Sequence, residues 1–209
     1  MFHEYQSQVL IAKDVITALA TFTASVTAIV ALRAWKKQLK GRTEYELARR
    51  LLRSVYRVRA EIEALRMPLI YIGEVQKVLK EAGITAEPDE KHYGGRAEAL
   101  VYQSRWKRLH EALSDLQVEL LEAEVSWGDE IIKSQGRLRE CITSLFLNVY
   151  RRLWQIDSSR NYQVDEDTQK EIDRILYKSI SNPDVDPFGD EIKGSIEHIE
   201  AYLKPFLKL

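Results

Sequence analysis

At 209 residues, with 45% hydrophobic and 30% charged side chains, the chain is long enough for one real core and too apolar for disorder. Its formal net charge of −1 excludes a global field that would draw it to nucleic acid or acidic lipid, so only local asymmetry can do so. Scarce Pro argues against a turn-rich all-β fold, and a single cysteine, Cys141, excludes an intramolecular disulfide and fits a reducing compartment.

The first element is an uncharged run, Val15 to Leu32. As a helix of about 18 residues it covers roughly 27 Å, just short of a hydrocarbon core of about 30 Å. Arg33, Lys36 and Lys37 can snorkel to make up the difference, and Trp35 suits the interfacial belt. Lys13 is the only basic residue before the run, whereas Arg33, Lys36, Lys37, Lys40, Arg42, Arg49 and Arg50 follow it. The positive-inside rule therefore predicts a short extracytoplasmic N-terminus (1–12), a transmembrane helix (13–35) and a cytoplasmic helical domain (36–209) at the inner membrane. A cleaved signal peptide would carry its positive charge ahead of the apolar stretch. A buried core helix of a soluble protein is the remaining alternative, and the basic flank argues against it.

Within the run, Ala20, Ala24, Ala28 and Ala31 share one helical face, a spacing that lets helix backbones approach each other in lipid and predicts a homo-oligomer. The hydroxyls of Thr17, Thr21 and Ser25, with Thr23 and Thr27, either bond the preceding turn's carbonyls or reach a neighbouring helix or a wet lumen.

Beyond the run the helix continues to about Arg66, Gly41 offering a loose joint. Ala48, Leu51, Val55, Val58, Ile62 and Leu65 recur at spacings of three and four, one apolar stripe. Arg49, Arg50, Arg53, Arg57 and Arg59 read as a solvated face bonded to Glu44, Glu46, Glu61 or Glu63 at helical spacing. This basic face could also take RNA, although it lacks interleaved aromatics. Pro68 breaks the pattern. A short helix over Leu69–Ala82 and a loop over Gly83–Gly95 follow. The clearest stripe is next: Tyr102, Trp106, Leu109, Leu113, Leu116, Leu120, Ala123 and Trp127. Asp129 is positioned to cap the following helix, which carries Ile131, Leu138, Ile142, Leu145, Val149, Leu153 and Ile156. After a polar loop over Asp157–Asp167, Thr168 and Glu171 suggest a capping box for a helix with Ile172, Ile175, Leu176 and Ile180. A Pro-containing loop over Asn182–Gly189 leads to a last stripe of Ile192, Ile196, Ile199, Leu203 and Phe206. The fold class is all-α: one N-terminal transmembrane helix, then a bundle of long amphipathic helices.

One short motif invites an enzymatic reading. Arg105-Trp106-Lys107-Arg108-Leu109-His110 fits the Arg-x(4–6)-His pattern of HEPN ribonucleases, helical domains that pair the motif across a dimer to cleave RNA. His would serve as acid or base and Arg would stabilise phosphate charge. Trp106 departs from the polar residue usual after the Arg, and a pair of solvated helix residues flanking Trp106 is the plainer reading. With its N-terminal membrane helix, charged helical domain and this motif, the chain resembles the membrane accessory proteins of type VI-B CRISPR systems. That resemblance implies a HEPN-like domain and a membrane-spanning oligomer that aids antiviral defence, with pore formation one candidate activity. Of the family's residues it carries over only Arg105 and His110.

Other sites fail on chemistry. His3, His92, His110 and His198 are scattered, so no zinc set forms. Asp184-x-Asp186-x-Phe188-Gly189 has Phe188 where a calcium ligand belongs and Ser195 where a bidentate Glu belongs. The acidic run Asp165-Glu166-Asp167 fits a helix start better than a metal site. The sequence therefore points to no cofactor and no metal. Lipid and further copies of the chain are the expected partners, with a cytoplasmic protein as a third. Three functions remain in order: a membrane effector or accessory, a membrane-tethered HEPN-type ribonuclease, and a non-catalytic scaffold.

Overall fold

The computed structural model describes residues 2–84, 90–157, 162–178 and 185–207, with side chains at residues 13, 16–84, 95–157, 162–178 and 185–207. Ile180 and Asp184, and the side chains of residues 1–12, lie outside what is described. Seven helices and no strand occur among the described residues: α1 (Phe2–Leu65), α2 (Ile72–Glu81), α3 (Glu90–Trp127), α4 (Glu130–Ser134), α5 (Gly136–Ile156), α6 (Glu166–Leu176) and α7 (Pro187–Leu203). The chain divides between Glu46 and Leu47 into two compact units.

The first unit holds the N-terminal part of α1, including Gly41, through which the helix runs unbroken. α1 is the one described helix that is long and apolar enough to cross a membrane, and none of its apolar window is buried within the chain.

The second unit is built around one apolar cluster. Every residue of the stripe Ala48–Leu65 is at most 1% exposed. It meets Leu109, Leu116, Leu120 and Ala123 of α3, Leu138, Leu145 and Val149 of α5, Ile172, Ile175 and Leu176 of α6, and Ile192, Ile196, Ile199 and Leu203 of α7 in that cluster. Trp106, Leu113 and Trp127 pack against its edge. Apolar residues at three- and four-residue spacing place one stripe per helix inward, and burial of those stripes, more than helix propensity, holds the elements in place.

Four local expectations need correction. The loop expected over Gly83–Gly95 is shorter, because α3 already begins at Glu90. The single helix expected from Ile131 to Ile156 is two, α4 and α5, broken at Gln135. There the Ser134 hydroxyl donates to the Ile131 carbonyl, competing with the helical ladder, and Gly136 resumes the helix. Asp129 has helical backbone angles and makes no side-chain cap, its carboxylate instead bonding Lys133 at 2.9 Å. The capping box expected at Thr168 and Glu171 is replaced by Asp165, whose Oδ1 accepts from the Thr168 backbone N–H at 2.7 Å. Asp caps better than Thr, and starting at Glu166 puts Glu166 and Asp167 in the first turn, where the helix dipole favours them. α3 ends at Trp127, and the next residue, Gly128, turns the chain out of the helix with a positive φ of 83°.

Candidate functional site

The apolar part of α1 is exposed along its whole circumference: Ile16, Leu19, Phe22, Ile29 and Val30 are all more than half exposed. Its hydroxyls are handled inside the helix. Thr17, Thr21, Thr23, Ser25 and Thr27 donate at 2.8 Å to the carbonyls of Lys13, Thr17, Leu19, Thr21 and Thr23, each four residues earlier. No hydroxyl proton in this set needs an outside partner, the condition a helix must meet to sit in hydrocarbon. Ala20, Ala24, Ala28 and Ala31 are exposed, and at 3.6 residues per turn they occupy an arc of about 80°.

Arg33, Lys36, Lys37, Lys40 and Arg42 are exposed. Lys40 pairs with Glu44 at 3.7 Å and Arg42 with Glu46 at 3.0 Å, whereas Arg33, Lys36 and Lys37 have no carboxylate partner among the described residues. The arginines further along differ from expectation. Only Arg59 uses its own helix, pairing with Glu63. Arg50 reaches across to Glu119 and Glu122 of α3, Arg57 bonds Asp115, and Glu61 accepts from Arg108. The partners expected within α1 are taken: Glu44 and Glu46 by Lys40 and Arg42, and Glu61 by Arg108. Arg49 and Arg53 stay exposed.

Arg105 and His110 are not brought together. Five residues apart on one helix, they project about 140° from each other. Arg105 is 3% exposed. Its Nε and Nη2 donate to the two Glu74 carboxylate oxygens at 2.8 and 2.7 Å, Nη1 to the Met67 carbonyl at 2.7 Å, and Nη2 again to the Leu69 carbonyl at 2.9 Å. The solvated Arg105 of the plainer sequence reading is thus corrected to a buried one. It satisfies the open carbonyls of the chain leaving α1 and fastens α2 to α3. The same hydrogen bonds hold the Glu74 carboxyl below its ordinary range, against the opposing effect of burial. His110 is exposed on the rim of a groove of about 990 Å³ between α3 and α5, beside Trp106, Tyr150 and Trp154.

Sequence reading missed a second buried guanidinium. Arg66, 5% exposed, grips Asp186 with two bonds of 2.7 and 2.9 Å, and its Nε donates to the Ile175 carbonyl at 2.7 Å. It thereby caps the C-terminal end of α6 while Asp186 caps α7 by accepting from the Gly189 N–H at 2.9 Å. The signal was present: Arg66 falls four residues after Ile62, on the stripe that otherwise holds only apolar residues. Asp186, weighed above as a calcium ligand, is committed to this junction, and the Arg66 bonds pull its carboxyl below the usual range. Burial pushes the Cys141 thiol up, so it stays protonated and a poor nucleophile at neutral pH.

The chain matches no family model, no curated protein and no solved structure.

The two carboxylate–guanidinium junctions set an acid limit. A carboxyl whose folded pKa is depressed adds stability that is complete above its unfolded value, about 4, and is lost as pH falls through the folded one. Melting followed by circular dichroism between pH 7 and pH 3 is therefore expected to show a steep fall in Tm below about pH 4.5. Glu74→Gln should lower Tm at pH 7 and flatten that fall; an unchanged pH slope in Glu74→Gln would remove Glu74 from the account.

Proposed function

We propose that this chain is a single-pass membrane protein, N-terminus outside and helical domain in the cytoplasm, that self-associates and works as a membrane effector or accessory by binding rather than by catalysis. One observation carries the reading: an apolar helix of membrane length, unburied within the chain, with each described hydroxyl bonded to its own backbone. The lopsided cations at Arg33–Arg42 support that orientation. Carbonate washing of membranes, with protease access to tags at either end, tests it. Intact protein in the soluble fraction, or an N-terminal tag protected from outside, would overturn it.

Nothing in the geometry favours the ribonuclease. A catalytic pair must converge on one phosphate, and Arg105 has its donors engaged by Glu74, Met67 and Leu69 while His110 projects elsewhere. Self-association rests on the alanine face. Ala24→Leu, which widens that face without altering hydropathy for the worse, is expected to shift light scattering in mild detergent toward monomer by roughly tenfold in dissociation constant. Wild-type protein that is monomeric across concentrations would end this part of the proposal. Depolarisation of cells on expression would point to permeabilisation as the effector step; unaltered potential would leave recruitment of a partner.

A further inference from the structure

The cations that follow the apolar run are not spread evenly around α1. At about 100° per residue, Arg33, Lys36, Lys37 and Lys40 fall within an arc of about 100°. All four are exposed. The alanine face, Ala20, Ala24, Ala28 and Ala31, lies about 180° away. Trp35 continues that opposite side and Leu32 and Leu39 border it, each at least half exposed, while Arg42, the one juxtamembrane cation on it, is paired with Glu46. Pairing is uneven as well. Lys40 and Arg42 each find an acid four residues later, Glu44 and Glu46. For Arg33, Lys36 and Lys37 the positions four later are Lys37, Lys40 and Gly41, so the helix offers no counterion. Three adjacent cations without a carboxylate sit within the first turns after a stretch of membrane length.

We infer that Arg33, Lys36, Lys37 and Lys40 form a one-sided site for the phosphate groups of anionic phospholipids in the leaflet the helix leaves. The inference rests on the membrane reading above and deepens it by naming the lipid class and the face. Interfacial phosphates lie at the depth reached by the side chains of the first two turns beyond the hydrocarbon. A lipid phosphodiester supplies the negative charge that the helix withholds from these three cations. Guanidinium and ammonium groups four residues apart can share one headgroup or hold two neighbouring ones. Because the cations and the alanines occupy opposite sides, headgroups bound to one side leave the other free for a second copy of the helix. Bound anionic lipid would then stand on the outside of an assembly packed through Ala20–Ala31.

The test uses the full chain reconstituted into nanodiscs of equal phosphatidylcholine and phosphatidylglycerol, then re-extracted in mild detergent. Lipid retained by the protein is measured by mass spectrometry. Wild type is expected to hold phosphatidylglycerol over phosphatidylcholine by at least about fivefold, falling as salt is raised. Arg33→Gln/Lys36→Gln/Lys37→Gln/Lys40→Gln should return the ratio to that of the disc, while Lys36→Arg/Lys37→Arg/Lys40→Arg should keep it. Arg42, Arg49, Arg50 and Arg53 remain to hold orientation in the Gln variant, which protease access verifies. If orientation is lost, Arg33→Gln/Lys36→Gln serves instead, with the enrichment expected to fall at least by half. Carbonate-resistant wild type without enrichment, or enrichment undiminished in correctly oriented Gln variants, overturns the lipid site alone. Carbonate-extractable wild type overturns the membrane reading and the lipid site together.

Discussion

Arg105→Ala is expected to cost the helical domain about 3 kcal/mol, the lower end of the range for breaking a buried ion pair. The loss is not the worth of one bond. Removing the guanidinium leaves the carbonyls of Met67 and Leu69 and both oxygens of Glu74 without the donors they now have. Glu74 is about one-fifth exposed, so water recovers part of the charge, which places the figure at the low end. For a domain of this size, about 3 kcal/mol is a fall in Tm of about 10 °C. Arg105→Lys should recover little, because one ammonium cannot span a carboxylate and two carbonyls. His110→Gln, on the exposed groove rim, should stay within about 0.5 kcal/mol of wild type. A melting series in which His110→Gln is the damaging change and Arg105→Ala the mild one would sink this account. RNA cleavage abolished by His110→Gln in a still-folded protein would revive the ribonuclease.

If α1 spans a membrane as proposed, Val26→Asp is expected to move the chain to the soluble fraction. A carboxylate at the centre of a membrane helix costs about 3 kcal/mol on insertion scales, roughly a hundredfold in the insertion equilibrium. This helix has little reserve to absorb that, since Thr17, Ala20, Thr21, Thr23, Ala24, Ser25, Thr27, Ala28 and Ala31 replace the Leu, Ile and Val that would drive insertion strongly. Val26→Leu is the control and should leave the carbonate-resistant fraction unchanged. If α1 were instead a surface helix of a soluble protein, Val26, which is 44% exposed, would accept Asp with no change in fractionation. Equal distribution of the two variants between membrane and soluble fractions would therefore decide against the membrane.

The helices were legible where burial follows a repeating spacing. Ala48 to Leu65 and Tyr102 to Trp127 each keep a regular pattern, and a regular pattern places the core without knowledge of the partner helix. Caps and breaks were less legible because several residues compete for each. Asp165 and Thr168 both suit an N-cap, and only the fold decides that Asp165 takes it by binding Thr168 itself. The two buried arginines mark the deeper limit. Arg105 stands three residues after Tyr102 and four before Leu109, squarely on an apolar stripe, which is a readable sign of burial. Its partner Glu74 lies 31 residues away on another helix, and no periodicity connects the two. The same holds for Arg66 and Asp186, 120 residues apart. Long-range charge pairs depend on which helix ends meet, a property of the whole packing.

Charge order along α1 and α3 also bears on where two long, repetitive helices come to rest against each other. In the observed alignment Arg50 faces Glu119 and Glu122, Arg57 faces Asp115, and Glu61 faces Arg108, so the sign reverses partway along both helices. Apolar stripes with a seven-residue rhythm tolerate sliding, since one Leu or Val replaces another after each pair of turns. The charges do not. A slide of about one and a half turns in one direction would set Arg57 against Arg108, and a slide of about the same size in the other would set Glu61 against Asp115. Each of these exposed or half-exposed pairs contributes little net stability, on the order of 1 kcal/mol or less. Their larger effect is to penalise the wrong registers, as edge charges do in coiled coils, giving a helix pair with a repetitive seam one address instead of several.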